Sequence, residues 1–118
     1  MSTRSVLWRI AVMTLGVGVI ASTTGCSSPR KSEPITQPVN LSQPQLEGRL
    51  LYDRYCYKCH TEGEGGMAPS LNEKPLPQFA MKFQIRHGIG AMPAFPPERL
   101  SDEEVDRIVQ YIVALRHN

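Results

Sequence analysis

Two cysteines and a histidine lie together in the stretch CYKCH, residues 56–60, and they could support three kinds of chemistry. Cys56 and Cys59 have the C-x-x-C spacing of a redox dithiol or of half a zinc site. His60 follows Cys59 directly, which completes the C-x-x-C-H signature for attachment of a c-type haem. A zinc site lacks its second pair of ligands here, and a redox dithiol lacks the expected βαβ pattern. The motif therefore favours haem.

The haem interpretation gives each of these side chains a role. Cys56 and Cys59 would reach the two vinyl groups of the porphyrin as thioethers, and His60 would bind the iron as its proximal ligand. The candidates for the second axial position are Met67, Met81, Met92, His87 and His117. Met92 is favoured because it lies in the loop GIGAMPAF, from which a methionine can approach the opposite face of the ring. His87 is the runner-up.

A C-terminal helix is predicted for the stretch that follows Leu100. Ser101 is a good N-cap, and Glu104 three residues later completes a capping box. Leu100 and Val105 have the spacing of a hydrophobic staple. The apolar stripe of this helix consists of Val105, Ile108, Val109, Ile112 and Leu115.

Two further helices are predicted upstream, at Gln45–Tyr55 and at Leu76–Arg86. In the first, Gly48 indicates the close approach of another helix, and the apolar side comprises Leu46, Leu50, Leu51 and Tyr52. In the second, the residues expected to face inward are Phe79, Phe83 and either Met81 or Ile85. Gly88 is a good signal for its C-terminal end. Because no alternating strand pattern appears, we expect an all-α domain.

The N-terminal residues 1–25 are predicted to be a secretory signal peptide of the lipoprotein type, because two arginines precede a short apolar run. The stretch TTGC, which ends at Cys26, resembles a lipobox and predicts a lipid anchor on that cysteine. Residues 26–43 are rich in proline and serine and predict an extended tether of about 50 Å, at roughly 3.1 Å per residue. Residues 44–118 then form the folded domain.

The overall charge and size exclude some functions and favour others. With 13 basic and 11 acidic residues, the chain has a formal charge of +2, which gives no reason to expect a nucleic-acid partner. A folded unit of this size buries little core and often depends on a metal, a cofactor or a disulfide. A covalent haem would supply such support.

The folded segment resembles a class I cytochrome c in its small bacterial form. The resemblance rests on CYKCH, on GMAPSL at 66–71, on IRHGIGAMPAF at 85–95 and on the C-terminal helix with Tyr111. Gly48 and Tyr52 also match the helix-crossing glycine and the aromatic residue of that family. The resemblance implies three or four helices packed around one covalent haem c. It further implies that the carbonyl of Pro69 accepts the Nδ1 proton of His60.

The chain departs from that family in the region of the haem propionates. Its one tryptophan, Trp8, lies in the signal segment, so the tryptophan that some relatives place at a propionate is missing. The sequence leaves three candidates for that role, namely Asn72, Lys74 and Arg86. The apolar lining of the haem crevice is expected to come from Leu71, Leu76, Phe79, Phe83, Ile89 and Phe95.

These features predict an electron carrier rather than an enzyme. With both axial positions filled by His60 and Met92, ligand chemistry at the iron is disfavoured. We expect redox proteins of an electron-transport chain as partners, a lipid-anchored position on the periplasmic face of a bacterial membrane, and no small-molecule substrate. A rim of cations could steer an acidic partner and consists of Lys58, Lys74, Lys82 and Arg86. The alternative is a haem enzyme subunit with an open sixth site.

Overall fold

A computed structural model describes residues 31–117 of the chain. Their regular structure comprises helices α1 (Gln43–Tyr55), α2 (Gln78–His87) and α3 (Asp102–Leu115) and a short 3-10 helix at Thr61–Gly63. The prediction of an all-α fold is confirmed. Between residues 31 and 117, no helix is long and apolar enough to span a membrane. The predicted signal peptide and Cys26 lie outside the described residues.

Helix α3 is the central element of the core and forms as its sequence predicts. The backbone N–H of Ser101 donates to the Glu104 carboxylate at 2.7 Å, and the backbone N–H of Glu104 donates to the Ser101 hydroxyl at 3.2 Å. This capping box satisfies two N–H groups at the start of the helix. All five residues of the predicted apolar stripe are buried.

Helix α1 crosses α3 at Gly48, which is buried. A methyl group placed on Gly48 would overlap the backbone carbonyl of Arg107, so the two helices approach closely because this position has no side chain. One turn later the ring of Tyr52 packs edge-on against that of Tyr111, with centroids 5.2 Å apart. The predicted apolar side of α1 is partly wrong, since Leu46 and Leu50 are exposed.

Helix α2 begins at Gln78, two residues later than predicted, because its first turn follows Pro77. It buries Met81 and Ile85 against the core. The expectation that Phe79 and Phe83 face inward is wrong, since these rings are 74% and 62% exposed. Residues 79 and 83 lie on the face of the helix opposite to 81 and 85, so only one of the two pairs can reach the core.

Residues 32–41, called here the N-terminal strap, lie against the helical domain. The backbone N–H of Ser32 donates to the Glu64 carbonyl at 2.9 Å, and that of Ile35 donates to the Glu64 carboxylate at 2.8 Å. The apolar side chains that pack against the core from this segment are Ile35, Val39 and Leu41. The part of the predicted tether that the structure describes is therefore largely docked, and α1 begins before the predicted domain boundary.

Candidate functional site

A crevice of about 380 Å³ opens between the turn that follows α1, helix α2 and the end of α3. Most of its wall is apolar. The lining residues that carry nitrogen or sulfur in their side chains are Cys56, His60, Met67, Lys74, Met81, Gln84, Met92 and Arg116. An apolar cavity with a small set of converging polar groups is the usual form of a cofactor site.

The turn that follows α1 places Cys56 and His60 at one wall of the crevice. The Cys56 carbonyl accepts hydrogen bonds from the backbone N–H groups of Cys59 and His60, at 3.1 and 2.9 Å. This closes a tight turn over the C-x-x-C-H motif. Cys56 lines the crevice, whereas Cys59 is half-buried and is not among the lining residues, and neither cysteine forms a disulfide.

The imidazole of His60 is oriented by a backbone carbonyl. Its Nδ1 lies 2.8 Å from the Pro69 oxygen, and because a carbonyl can only accept, Nδ1 carries the proton. Burial lowers the pKa of His60, the hydrogen bond to Pro69 opposes this effect, and Lys74 lowers the pKa further. The neutral ring therefore keeps the lone pair of Nε2 for a metal, which is the arrangement that a ligating histidine requires.

Met92 reaches the same crevice from the loop after α2. The backbone groups of Ile89 and Met92 exchange two hydrogen bonds, at 3.2 and 3.0 Å, and so close a tight turn. Gly88 lies beneath this turn with a φ of 70°, and a methyl group placed there would lie 2.5 Å from the Met92 carbonyl oxygen. The N–H of Phe95 donates to the Ile85 carbonyl at 2.9 Å, which fixes the far end of the loop.

The chemistry of the two thiols bears on the choice between haem, zinc and a redox dithiol. Burial raises the pKa of Cys56 to about 12, and the neighbouring Cys59 adds to the rise. Cys56 in the free chain is therefore a neutral thiol at physiological pH, unlike the low-pKa thiolate of a reactive dithiol. Residues 31–117 also contain no group of three or more His, Cys, Asp or Glu side chains arranged to hold a metal ion. The donor set fits a covalently attached haem.

The apolar lining matches the prediction in part. Leu71, Leu76 and Ile89 line the crevice as expected. Phe79 and Phe83 do not, because they project to solvent from the outer face of α2. Phe95 is buried in the core, where its ring packs on Tyr55 with centroids 5.9 Å apart. Met67, one of the sequence candidates for the second axial position, also lines the crevice and is exposed to solvent.

The three residues predicted as possible partners of a haem propionate lie in different environments. Arg86 is engaged elsewhere, since it donates to the carbonyls of Phe95 and Leu100 and pairs with Asp102. Asn72 is buried, but it lines a neighbouring cavity rather than the crevice. Lys74 does line the crevice. Arg116, which follows α3 directly, also lines the crevice and was not predicted at the site from the sequence.

The chain matches the family described as cytochrome c oxidase, cbb3-type, subunit III over residues 43–112. It is 38% identical over 68 residues to the cytochrome c subunit of 4-cresol dehydrogenase [hydroxylating] of Pseudomonas putida, covering 58% of this chain and 59% of that protein. It is 36% identical over 75 residues to cytochrome c6 of Bryopsis maxima, covering 55% and 84% of the two chains. Cytochrome c6 of Thermosynechococcus vestitus is 30% identical over 84 residues, or 64% of this chain and 74% of that one.

No solved structure matches the chain at a comparable level of significance. The chain spans about three fifths of the length of the Pseudomonas putida relative and a larger share of the cytochromes c6. The family match takes in more than half of the chain, including the turn with Cys56 and His60 and the loop with Met92. The chain therefore belongs to this cytochrome c family, whose members carry covalently attached haem c.

Proposed function

We propose that this protein is a mono-haem c-type cytochrome that transfers single electrons between membrane-associated redox partners. Cys56 and Cys59 would hold the porphyrin as thioethers, and His60 and Met92 would bind the iron from opposite faces. One observation carries the proposal. His60 and Met92, from different segments of the chain, line the same crevice, and a backbone carbonyl already orients the histidine.

The surrounding residues hold the two proposed iron ligands in place. The Pro69 carbonyl fixes the tautomer of His60, and the paired hydrogen bonds with Ile89 fix the backbone of Met92. The apolar walls of the crevice would keep water away from the iron and make the cofactor part of the core. When bound, haem c supplies the one-electron couple, and the chain supplies the ligands, the burial and the docking surface.

Filled axial positions distinguish this proposal from a haem enzyme subunit with an open sixth site. A methionine and a histidine together leave no coordination position for a substrate, and methionine raises the reduction potential. The Pseudomonas putida relative is named as a subunit of a dehydrogenase. That name supports a variant of the same function, in which the chain accepts electrons as a subunit beside an enzyme.

The docking surface is proposed to surround the crevice mouth. Met67 and Ile89 line the crevice and are exposed, which offers an apolar contact for a partner. Of the predicted cationic rim, Lys82 pairs with Asp106, and Arg86 pairs with Asp102. Lys58 and Lys74 have no ion-pair partner among residues 31–117, so they remain available for acidic groups of a redox protein.

Export and membrane anchoring are proposed from the N-terminal sequence. Covalent haem attachment takes place outside the cytoplasm, which agrees with a signal peptide at residues 1–25 and a lipid anchor on Cys26. Mass spectrometry of the mature N-terminus should find an acylated cysteine at position 26 as the first residue. An unmodified Cys26, or a mature chain that begins elsewhere, would refute the anchor.

The haem proposal is tested by the absorption spectrum of the purified protein. We expect covalently bound low-spin haem, with sharp α and β bands when reduced and a weak near-infrared methionine-to-iron band when oxidised. Met92→Ala should abolish the near-infrared band. Met67→Ala is the matched control, since Met67 lines the same crevice, and this variant should keep the band. A high-spin wild type, or a band that survives Met92→Ala, would contradict the assignment.

A further inference from the structure

Arg116 carries a charge that no carboxylate balances within the described part of the chain. Arg49, Arg86 and Arg107 pair with carboxylates. Arg54 and Arg99 lie over aromatic rings. Arg116 does neither among residues 31–117, although it is partly buried, and burial lowers the pKa of its guanidinium. A partly buried cation without a counter-charge is costly unless a ligand supplies one.

Three contacts hold the guanidinium of Arg116 in a fixed orientation. Its Nε donates to the Leu71 carbonyl at 3.2 Å, and one terminal nitrogen donates to the Leu76 carbonyl at 2.8 Å. The other terminal nitrogen lies 3.2 Å from the sulfur of Met81. Leu71, Leu76 and Met81 all line the crevice, and so does Arg116 itself. The cation is therefore built into the crevice wall.

This arrangement leaves part of the guanidinium unused. An arginine has five N–H donors in a planar fork, and the three contacts of Arg116 engage one on each nitrogen. One donor on each terminal nitrogen remains. A planar pair of donors matches a carboxylate, which arginine binds through two parallel hydrogen bonds. In an otherwise apolar crevice, such a pair selects for an anionic group on the occupant.

We propose that Arg116 binds a haem propionate and so positions the carboxylate edge of the cofactor in the crevice. This inference rests on the proposed function, since it requires haem c in this site. Haem carries two propionate carboxylates, which need a counter-charge when the ring is buried. Arg116 would take the role for which the sequence suggested Asn72, Lys74 or Arg86. The Arg116 side chain reaches the crevice from the end of α3, and the carbonyls of Leu71 and Leu76 fix its position.

A guanidinium beside a propionate has two electrostatic consequences. It favours the ionised carboxylate and therefore lowers the propionate pKa, so the reduction potential should be nearly constant with pH around neutrality. It also disfavours the more positive ferric state and therefore raises the potential. The titratable groups that line the crevice with Arg116 are Cys56, His60 and Lys74, and those that line a neighbouring cavity of about 170 Å³ with it are Glu33 and Glu73.

The test is the midpoint potential of the haem-loaded full-length protein, measured from pH 5 to pH 9. In Arg116→Gln the potential at high pH should fall below that of the wild type. It should then rise as the pH decreases through the raised propionate pKa, with a slope that approaches one proton per electron. Arg49→Gln is the matched control, because it removes the same charge from a surface pair with Asp53. That control should leave the pH profile unchanged.

Two further variants distinguish Arg116 from Lys74, the lysine that lines the same crevice. If Lys74→Gln introduces the pH dependence and Arg116→Gln does not, the propionate partner is Lys74 and the inference is overturned. If Arg116→Gln yields no holoprotein, Arg116→Lys decides. Lysine keeps the charge but cannot form two parallel bonds, so a potential and a pH profile identical to the wild type would also overturn the inference.

The inference and the proposed function fail in different ways. If the wild type shows the low-spin spectrum and the methionine band, but Arg116→Gln changes neither the midpoint potential nor its pH profile, only the propionate contact is refuted. If the wild type lacks that spectrum, the proposed binding of the iron by His60 and Met92 is refuted. The spectrum of each variant is therefore recorded before its potential is measured.

Discussion

The hydroxyl of Tyr52 donates a hydrogen bond to the backbone carbonyl of His60. Tyr52 has no exposed surface, and its ring packs on Tyr111 of α3. One side chain thus joins the crossing of α1 and α3 to the residue proposed to bind iron. Burial raises the pKa of the Tyr52 hydroxyl above its ordinary value, which keeps it a neutral donor. The helix crossing and the proximal wall of the crevice therefore form one unit.

Tyr52→Phe tests this link. The substitution keeps the ring but removes one of the two donors to the His60 carbonyl, which still accepts from the Gly63 N–H at 3.1 Å. The lost hydrogen bond should lower the free energy of unfolding by about 0.5–1.5 kcal/mol. Tyr111→Phe is the matched control, since it removes the hydroxyl from the other ring of the pair and should cost less. Chemical denaturation of both variants measures the difference. Equal losses of stability would show that the hydrogen bond to His60 contributes nothing specific.

Gly48→Ala should destabilise the protein although alanine favours helices. In a helix with free space, alanine would gain roughly 0.5–1 kcal/mol over glycine. Here the added methyl group would overlap the Arg107 carbonyl, so α1 and α3 must separate, at a cost of about 1–3 kcal/mol. The exposed change Leu50→Ala should stay within about 0.5 kcal/mol. A Gly48→Ala variant more stable than the wild type would contradict the close crossing.

Gly88→Ala should disturb the proposed Met92 ligand, whereas Gly90→Ala should not. Both glycines have positive φ, so each substitution costs backbone strain of about 1–3 kcal/mol. At Gly88 the methyl group would also meet the Met92 carbonyl, whereas nothing lies within 4 Å of a methyl group at Gly90. We expect Gly88→Ala to weaken the near-infrared methionine band and Gly90→Ala to retain it. The contrary pattern would mean that the turn does not position Met92.

The sequence predicts α3 well because several local signals agree there. Ser101, Glu104 and a five-residue apolar stripe all specify the same start and the same buried face. In α2 the signals conflict, because Phe79 with Phe83 and Met81 with Ile85 are two apolar pairs on opposite faces. The sequence predicts that both phenylalanines and one member of the other pair face inward, whereas Met81 and Ile85 are the residues that are buried. Only long-range contacts decide between the two faces.

The candidate site likewise contains some residues that local sequence patterns reveal and others that only the fold brings together. The C-x-x-C-H motif and the glycine-rich loop around Met92 are local patterns, so the sequence could propose Cys56, Cys59, His60 and Met92. Arg116 could not be proposed, because its place in the crevice depends on where α3 ends and on how the loop at 71–76 folds back. The carbonyls that orient Arg116 belong to residues some 40 positions away in the chain, so no local sequence pattern could predict these hydrogen bonds.

Docking of the N-terminal strap limits how far the domain can move from its proposed anchor. Five residues, 27–31, separate Cys26 from Ser32, and the chain between those two positions spans at most about 20 Å. A tether that were free over residues 26–43 would reach roughly 50 Å. A docked strap therefore keeps the haem domain close to the membrane surface, if Cys26 carries the anchor.

Ile35→Ser should release the strap, because Ile35 packs against the core and its N–H donates to the Glu64 carboxylate. Losing about 1.4 kcal/mol of apolar contact would speed hydrogen exchange at the amides of Ser32 and residue 35 about tenfold. Thr36→Ser, at the exposed next position, should leave both rates unchanged. Amides that already exchange at unprotected rates in the wild type would show that residues 32–41 are a free tether, as their proline content alone predicts.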